Sequence, residues 1–92
     1  MRWQLRMYRV KPGELDSWVG EWREHVLPIR RSMGFEVLGP WVGDGDLFVW
    51  MIGHEDLEAA DPAYHASPER AALDPDPARL LADVQTWVLD ER

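Results

Sequence analysis

Apolar and polar residues alternate from Trp3 to Val10, with Trp3, Leu5 and Met7 on one side and Gln4, Arg6 and Tyr8 on the other, which predicts a strand. Lys11-Pro12-Gly13 ends it. Leu15, Trp18, Val19, Trp22, Val26, Ile29 and Met33 then recur at helical spacing within one stripe and predict a helix. Arg30 and Arg31 favour its C-terminal dipole, and Gly34 suits the position after its end. Pro28 removes one backbone donor from the run, so a kink or a shortened last turn is expected there.

Two apolar runs follow, Phe35 to Gly43 and Asp46 to His54, joined by the hairpin signal Asp44-Gly45. That loop sets Val42 opposite Leu47, Trp41 opposite Phe48, Gly39 opposite Trp50 and Val37 opposite Ile52. Trp41, Phe48, Trp50 and His54 then share one face, and Leu38, Val49 and Met51 the other. Pro40 cannot donate to a ladder, which puts its strand at a sheet edge. Asp61-Pro62 and Ser67-Pro68 each read as an N-cap followed by proline at the first helical position, so a broken helix is expected from about Asp56 to Leu73. A last strand runs roughly from Leu81 to Leu89. The order β-α-β-β-α-β, with right-handed crossovers, gives an α+β fold: a four-stranded antiparallel sheet, order 4-1-3-2, with both helices on one face.

Two helices cover one face of such a sheet, yet both faces of the central hairpin are apolar. Trp41, Phe48 and Trp50 each carry about 150–250 Å² of surface, and an exposed apolar patch beyond a few hundred Å² marks an interface or a binding groove. A homodimer with sheets packed face to face is therefore expected. The aliphatic set Leu5, Met7, Leu38, Val49, Met51, Val84 and Val88 is expected under the helices. The mixed set Arg6, Tyr8, Trp41, Trp50, His54, Asp83, Gln85 and Trp87 is expected toward the partner.

Composition narrows the function classes. At 92 residues the chain is read as one domain, residues 1–92. Seventeen acidic residues against 10 Lys and Arg give a net charge of -7, which removes the electrostatic case for nucleic acid or a membrane surface as partner. Cysteine is absent, excluding disulfides and thiol nucleophiles and fitting a reducing compartment. The N-terminal residues hold no continuous apolar run, so they read as neither signal peptide nor membrane span, and a cytoplasmic location is expected. Glu24-His25 lacks the second histidine of a zincin helix and His54-Glu55-Asp56 fits no ligand spacing, so neither metal nor cofactor is expected.

His54, at a strand end on the aromatic face, is a candidate for proton transfer, and its structural alternative is an imidazole bonded to nearby backbone. His25, one turn after Trp22, either reaches the cleft between helix and sheet or sits at the edge of the helix stripe. Arg6 and Tyr8 share a strand face, where Arg6 is expected to pair with Asp83 and either orient a carbonyl-bearing or anionic ligand or fix the dimer register. Tyr64 and His65 fall in the broken helix, as a lid or as solvated surface. Gly39 leaves room for a flat ligand or for a tryptophan ring.

The segments Gln4-Leu5-Arg6-Met7-Tyr8-Arg9-Val10-Lys11-Pro12-Gly13, Trp22-Arg23-Glu24-His25-Val26-Leu27-Pro28, Gly34-Phe35 and Ala66-Ser67-Pro68-Glu69-Arg70 together resemble a bacterial single-domain NIPSNAP family protein over essentially the whole chain. The resemblance implies a ferredoxin-like, homodimeric α+β barrel. The superfamily it implies includes cofactor-free monooxygenases, lactone isomerases, polyketide cyclases and some haem enzymes, while the NIPSNAP branch mostly lacks an assigned reaction. A fold analogy of this kind assigns no chemistry. The leading expectation is a barrel that binds a small apolar or aromatic molecule in a cavity lined by Trp41, Trp50, Phe48 and Tyr64. The alternative is a cofactor-independent monooxygenase, isomerase or cyclase on a polyketide-like substrate, with His54 or His25 moving a proton and Arg6 or Tyr8 steadying an oxyanion. A third is a structural dimer module with no ligand.

Overall fold

A computed structural model describes all 92 residues. The alternating runs form β1 (Arg2–Val10), β2 (Glu36–Gly43), β3 (Leu47–His54) and β4 (Leu81–Asp90). They pair antiparallel in the order β2-β3-β1-β4, the expected ferredoxin-like sheet, with Pro40's strand at an edge. The helical stripe becomes α1 (Leu15–Glu21), a π-helical turn (Trp22–Val26) and α2 (Leu27–Ser32). The widened turn comes just before Pro28, whose missing N–H and bulky ring would break an α-helical ladder there. The Phe35 N–H donates to the Arg30 carbonyl and the Gly34 N–H to the Arg31 carbonyl, with Gly34 at φ +87°, so the run closes in the expected glycine cap.

The second helical region differs from expectation. α3 (Leu57–Ala66) runs through Pro62 without a break, and only Ser67, accepting from the Arg70 N–H at 3.2 Å, caps a new helix, α4 (Pro68–Ala71). Pro62 forfeits one backbone bond, to Glu58, an exposed residue whose carbonyl can turn to water. Asp61 is thus no cap; its carboxylate turns inward. A 3-10 turn (Pro77–Leu80) leads into β4.

The pairing registers sort the sheet into two faces. On the helix-covered face Val42, Phe48, Tyr8 and Val84 form one row across the four strands, Trp50, Arg6 and Thr86 the next, and Val37, Ile52, Gln4 and Val88 a third. On the other face the rows are Trp41, Val49, Met7, Gln85, then Leu38, Met51, Leu5, Trp87. The expected assignment is therefore reversed for β1 and β3: Arg6, Tyr8 and Trp50 lie under the helices, while Leu5, Met7, Val49 and Met51, with Leu38 of β2, point out. β4 follows the expectation, with Val84 and Val88 on the helix side and Asp83, Gln85 and Trp87 outside. Periodicity says which residues share a face; the helices choose the side that holds Trp50 and Phe48 because Trp18 and Trp22 complete an edge-to-face cluster there. The Trp22 ring centre lies 5.3 Å from those of both Phe48 and Trp50.

Trp41 departs from the expected register. The loop takes in three residues, Asp44, Gly45 and Asp46, with Asp46 at φ +61°. Gly43 therefore pairs with Leu47, Val42 with Phe48 and Trp41 with Val49, in place of the expected Val42–Leu47 and Trp41–Phe48. A one-residue slip at Gly39-Pro40 takes up the difference, and Val37 and Leu38 pair with Ile52 and Met51 as expected. One residue of slip turns every later side chain to the opposite face. Trp41 consequently stands outside, 54% exposed, its ring lying against Gly39 instead of Trp50's. The shortest dimension of the molecule, 17 Å, accommodates only these two layers, so no part of the chain covers the outer face.

Candidate functional site

Between the sheet and the helices lies a cavity of about 230 Å³. β1 contributes Arg6 and Tyr8 to its floor, and β3 contributes Trp50. Trp18, Val26 and Arg30 come down from the first helical region, Tyr64, His65 and Arg70 from α3 and α4. Ala78, Leu81 and Val84 form the wall at the β4 edge, where Ala78 and Val84 are exposed and mark the side toward solvent.

The polar part of the site centres on one carboxylate oxygen. Asp61 Oδ1 accepts from Arg30 Nη1 at 2.8 Å, lies 3.5 Å from His65 Nε2 and 4.0 Å from Arg6 Nη1. Arg30 is 1% exposed and Arg6 8% exposed, so both guanidiniums have left water. Arg6 Nε donates to Tyr8 Oη at 2.7 Å and Arg6 Nη1 to Gln4 Oε1. The Arg30 guanidinium lies over the Tyr64 ring and beside Phe35. Both arginines stand within 6 Å of the Trp50 ring centre, at 5.8 Å for Arg6 and 5.7 Å for Arg30.

These contacts shape the acid-base properties. Burial by itself would raise the Asp61 carboxyl, but His65, Arg30 and the charge of Arg6 together hold it well below the ordinary carboxylate range. Burial pushes the Arg30 guanidinium down, opposed by its bond to Asp61. Burial raises the Tyr64 phenol, opposed by the charge of Arg30. Asp61 stays an acceptor committed to cations. On the cavity lining the Arg6 guanidinium and the Tyr8 hydroxyl are donors, while Arg30 Nε, Trp18 Nε1, Trp50 Nε1 and the Tyr64 hydroxyl are buried from the cavity without a protein hydrogen-bond partner.

Of the residues singled out from sequence, Arg6, Tyr8, Trp50 and Tyr64 meet at this cavity. Phe48 packs behind them, fully buried against Tyr8, Trp18 and Trp22. Trp41 lies on the opposite sheet face. His54 sits at the end of β3 with Phe35, where its Nδ1 accepts from the Asp56 N–H at 2.9 Å, away from the cavity lining. His25 is exposed on the π-helical turn, 4.0 Å from Glu24. The expected Arg6–Asp83 pair does not form, because Arg6 stands opposite Thr86 and Asp83 opposite Arg9. Sequence reasoning missed Arg30 and Asp61. The available signal was Arg30's place four residues after Val26, inside the apolar stripe instead of beside it.

The NIPSNAP family model matches residues 3–87. The chain belongs to the NIPSNAP family. No curated protein matches it. Among solved structures it is similar to an uncharacterized NIPSNAP domain protein from Burkholderia xenovorans, with a TM-score of 0.87 and 19% identity, covering 100% of this chain and 95% of that one. A NIPSNAP family protein from Agrobacterium tumefaciens superposes with a TM-score of 0.84 at 18% identity, covering 99% and 92% of the two chains. A putative antibiotic biosynthesis monooxygenase from Nitrosomonas europaea gives 0.77 at 13% identity, covering 99% and 98%. At these identities the likeness is one of fold, shared by NIPSNAP proteins and monooxygenase-like barrels.

Proposed function

We propose that the protein is a homodimeric NIPSNAP barrel in which each copy holds a small aromatic or apolar molecule between its sheet and its helices. The observation that carries the ligand reading is the cavity of about 230 Å³ walled by Tyr8, Trp18, Trp50 and Tyr64. It lies below the 300–1,000 Å³ range typical of drug-sized ligands, and so suits one ring or a fused pair. The dimer reading rests on the outer sheet face, where Leu5, Met7, Leu38, Trp41, Val49, Met51 and Trp87 adjoin with no charge among them and nothing from the same chain over them. Titration of the intrinsic tryptophan fluorescence with 2-naphthol tests the cavity. Saturable quenching in the wild type that disappears in Val84→Trp, which fills the site from its exposed wall, supports it; a wild type that shows no saturable quenching overturns it.

A second reading, chemistry on the bound molecule, is favoured by the Arg6–Tyr8 hydrogen bond. With Arg6 Nε donating to its oxygen, the Tyr8 hydroxyl keeps its own proton to offer to a ligand carbonyl, the arrangement an isomerase, cyclase or cofactor-independent monooxygenase needs for a developing oxyanion. In this reading proton transfer falls to Tyr8 or to His65, the histidine on the cavity wall.

A further inference from the structure

Two guanidiniums are buried beside the cavity against a single carboxylate. Arg6 and Arg30 are 8% and 1% exposed, and within salt-bridge distance each finds only Asp61, through the same oxygen. The other partners of Arg6, the Tyr8 hydroxyl and the Gln4 side-chain carbonyl, are neutral. Arg70, at the rim, is already matched by Asp76 at 2.8 Å. The interior is thus one positive charge in excess, in a chain whose net charge is -7. A buried charge without a counter-charge is unfavourable unless something of opposite sign is supplied. The hydrogen-bonding inventory points the same way: the Arg6 guanidinium and the Tyr8 hydroxyl at the cavity are donors, and the one strong acceptor nearby is engaged by cations.

We infer that the ligand of this cavity is an aromatic acid or a comparable resonance-stabilised oxyanion, whose negative oxygens meet Arg6 and the Tyr8 hydroxyl while its ring lies among Tyr8, Trp18 and Trp50. This inference rests on the ligand-site reading of the cavity and adds the charge of the molecule that fills it. It accounts for why an acidic protein places arginines where an apolar guest alone would favour aliphatic side chains. The binding mode is hydrogen-bonded and charge-assisted on one side and stacked on the other.

The test compares 1-naphthoate with 1-naphthamide, which has nearly the same shape and no charge, by calorimetric titration and thermal unfolding of the full chain. A charged in place of a neutral acceptor predicts at least about ten-fold tighter binding of the carboxylate. At equal concentration the carboxylate also raises the unfolding midpoint more than the amide does. In Arg6→Gln the carboxylate advantage shrinks toward parity while amide binding is retained, a pattern that loss of the fold cannot mimic. If Arg6→Gln does not fold, the wild-type comparison decides alone. Equal or tighter binding of the amide overturns the anionic ligand and leaves the cavity reading standing. Binding of neither probe overturns both.

Discussion

The guanidinium carbon of Arg30 lies 3.6 Å from the centre of the Tyr64 ring, so the helix after the π-helical turn and the helix after β3 meet through a cation resting on an aromatic face. The same arginine donates to Asp61, three residues before Tyr64, and α3 therefore grips it at two points. The roof of the cavity is held by polar contacts that apolar patterning does not reveal.

Asp61→Asn removes the charge that both buried arginines face. Unfolding in urea should show a loss of roughly 3 kcal/mol, the lower end for breaking a buried pair, because the Asp61 side chain keeps some exposure. A loss below about 0.5 kcal/mol, the size of an ordinary surface change, contradicts the pairing.

The acid limb of the stability curve follows from the same residue. The folded-state carboxyl of Asp61 is held below its unfolded value, so its contribution is present in full above the ordinary aspartate range near about pH 4. It shrinks as pH falls through that range and vanishes once the folded carboxyl takes a proton. Urea midpoints measured from pH 7 down to pH 3 should fall more steeply in the wild type than in Asp61→Asn.

Met51 lies in the middle of the outer face, between Leu38 and Leu5. Met51→Lys should turn a particle of twice the 10.7 kDa chain mass into one of the chain mass in light scattering, with the far-ultraviolet spectrum retained. A wild type that scatters as a single chain at micromolar concentration contradicts the dimer.

Gly39 adopts φ +96°, and a Cβ there would stand 3.0 Å from the Trp41 ring. Gly39→Ala should cost roughly 1–3 kcal/mol in urea unfolding, from a backbone conformation that alanine rarely takes.

His54→Ala should leave naphthoate affinity unchanged within a factor of about two and lower stability by about 1 kcal/mol, the value of one hydrogen bond lost from the turn before α3. A large loss of binding with the fold intact would tie His54 to the ligand after all.

The strand order follows from features that act locally in the chain: the Asp44-Gly45 turn, Pro40 at an edge and the alternation in β1. The choice of covered face does not, since both sides of the hairpin are apolar and the deciding partners, Trp18 and Trp22, lie outside the sheet. Trp41's side was set by a loop of three residues, Asp44 to Asp46, where Asp44-Gly45 reads as two, together with the one-residue slip at Gly39-Pro40 that takes up the difference. The site was half readable. Arg6, Tyr8, Trp50 and Tyr64 stand out as polar or aromatic residues on one strand face or in one helix, whereas Arg30 looks like an ordinary helix-end cation and Asp61 like a cap before proline. Their pairing depends on how far α3 continues past Pro62, a tertiary outcome in which packing outweighs the local signal.

Because three basic side chains converge on one oxygen of α3, whatever enters the chamber and draws Arg6 toward itself alters the restraint on that helix. Guest occupancy is then felt along α3 from Leu57 to Ala66, whose loosened restraint should register as faster amide exchange well away from the guest.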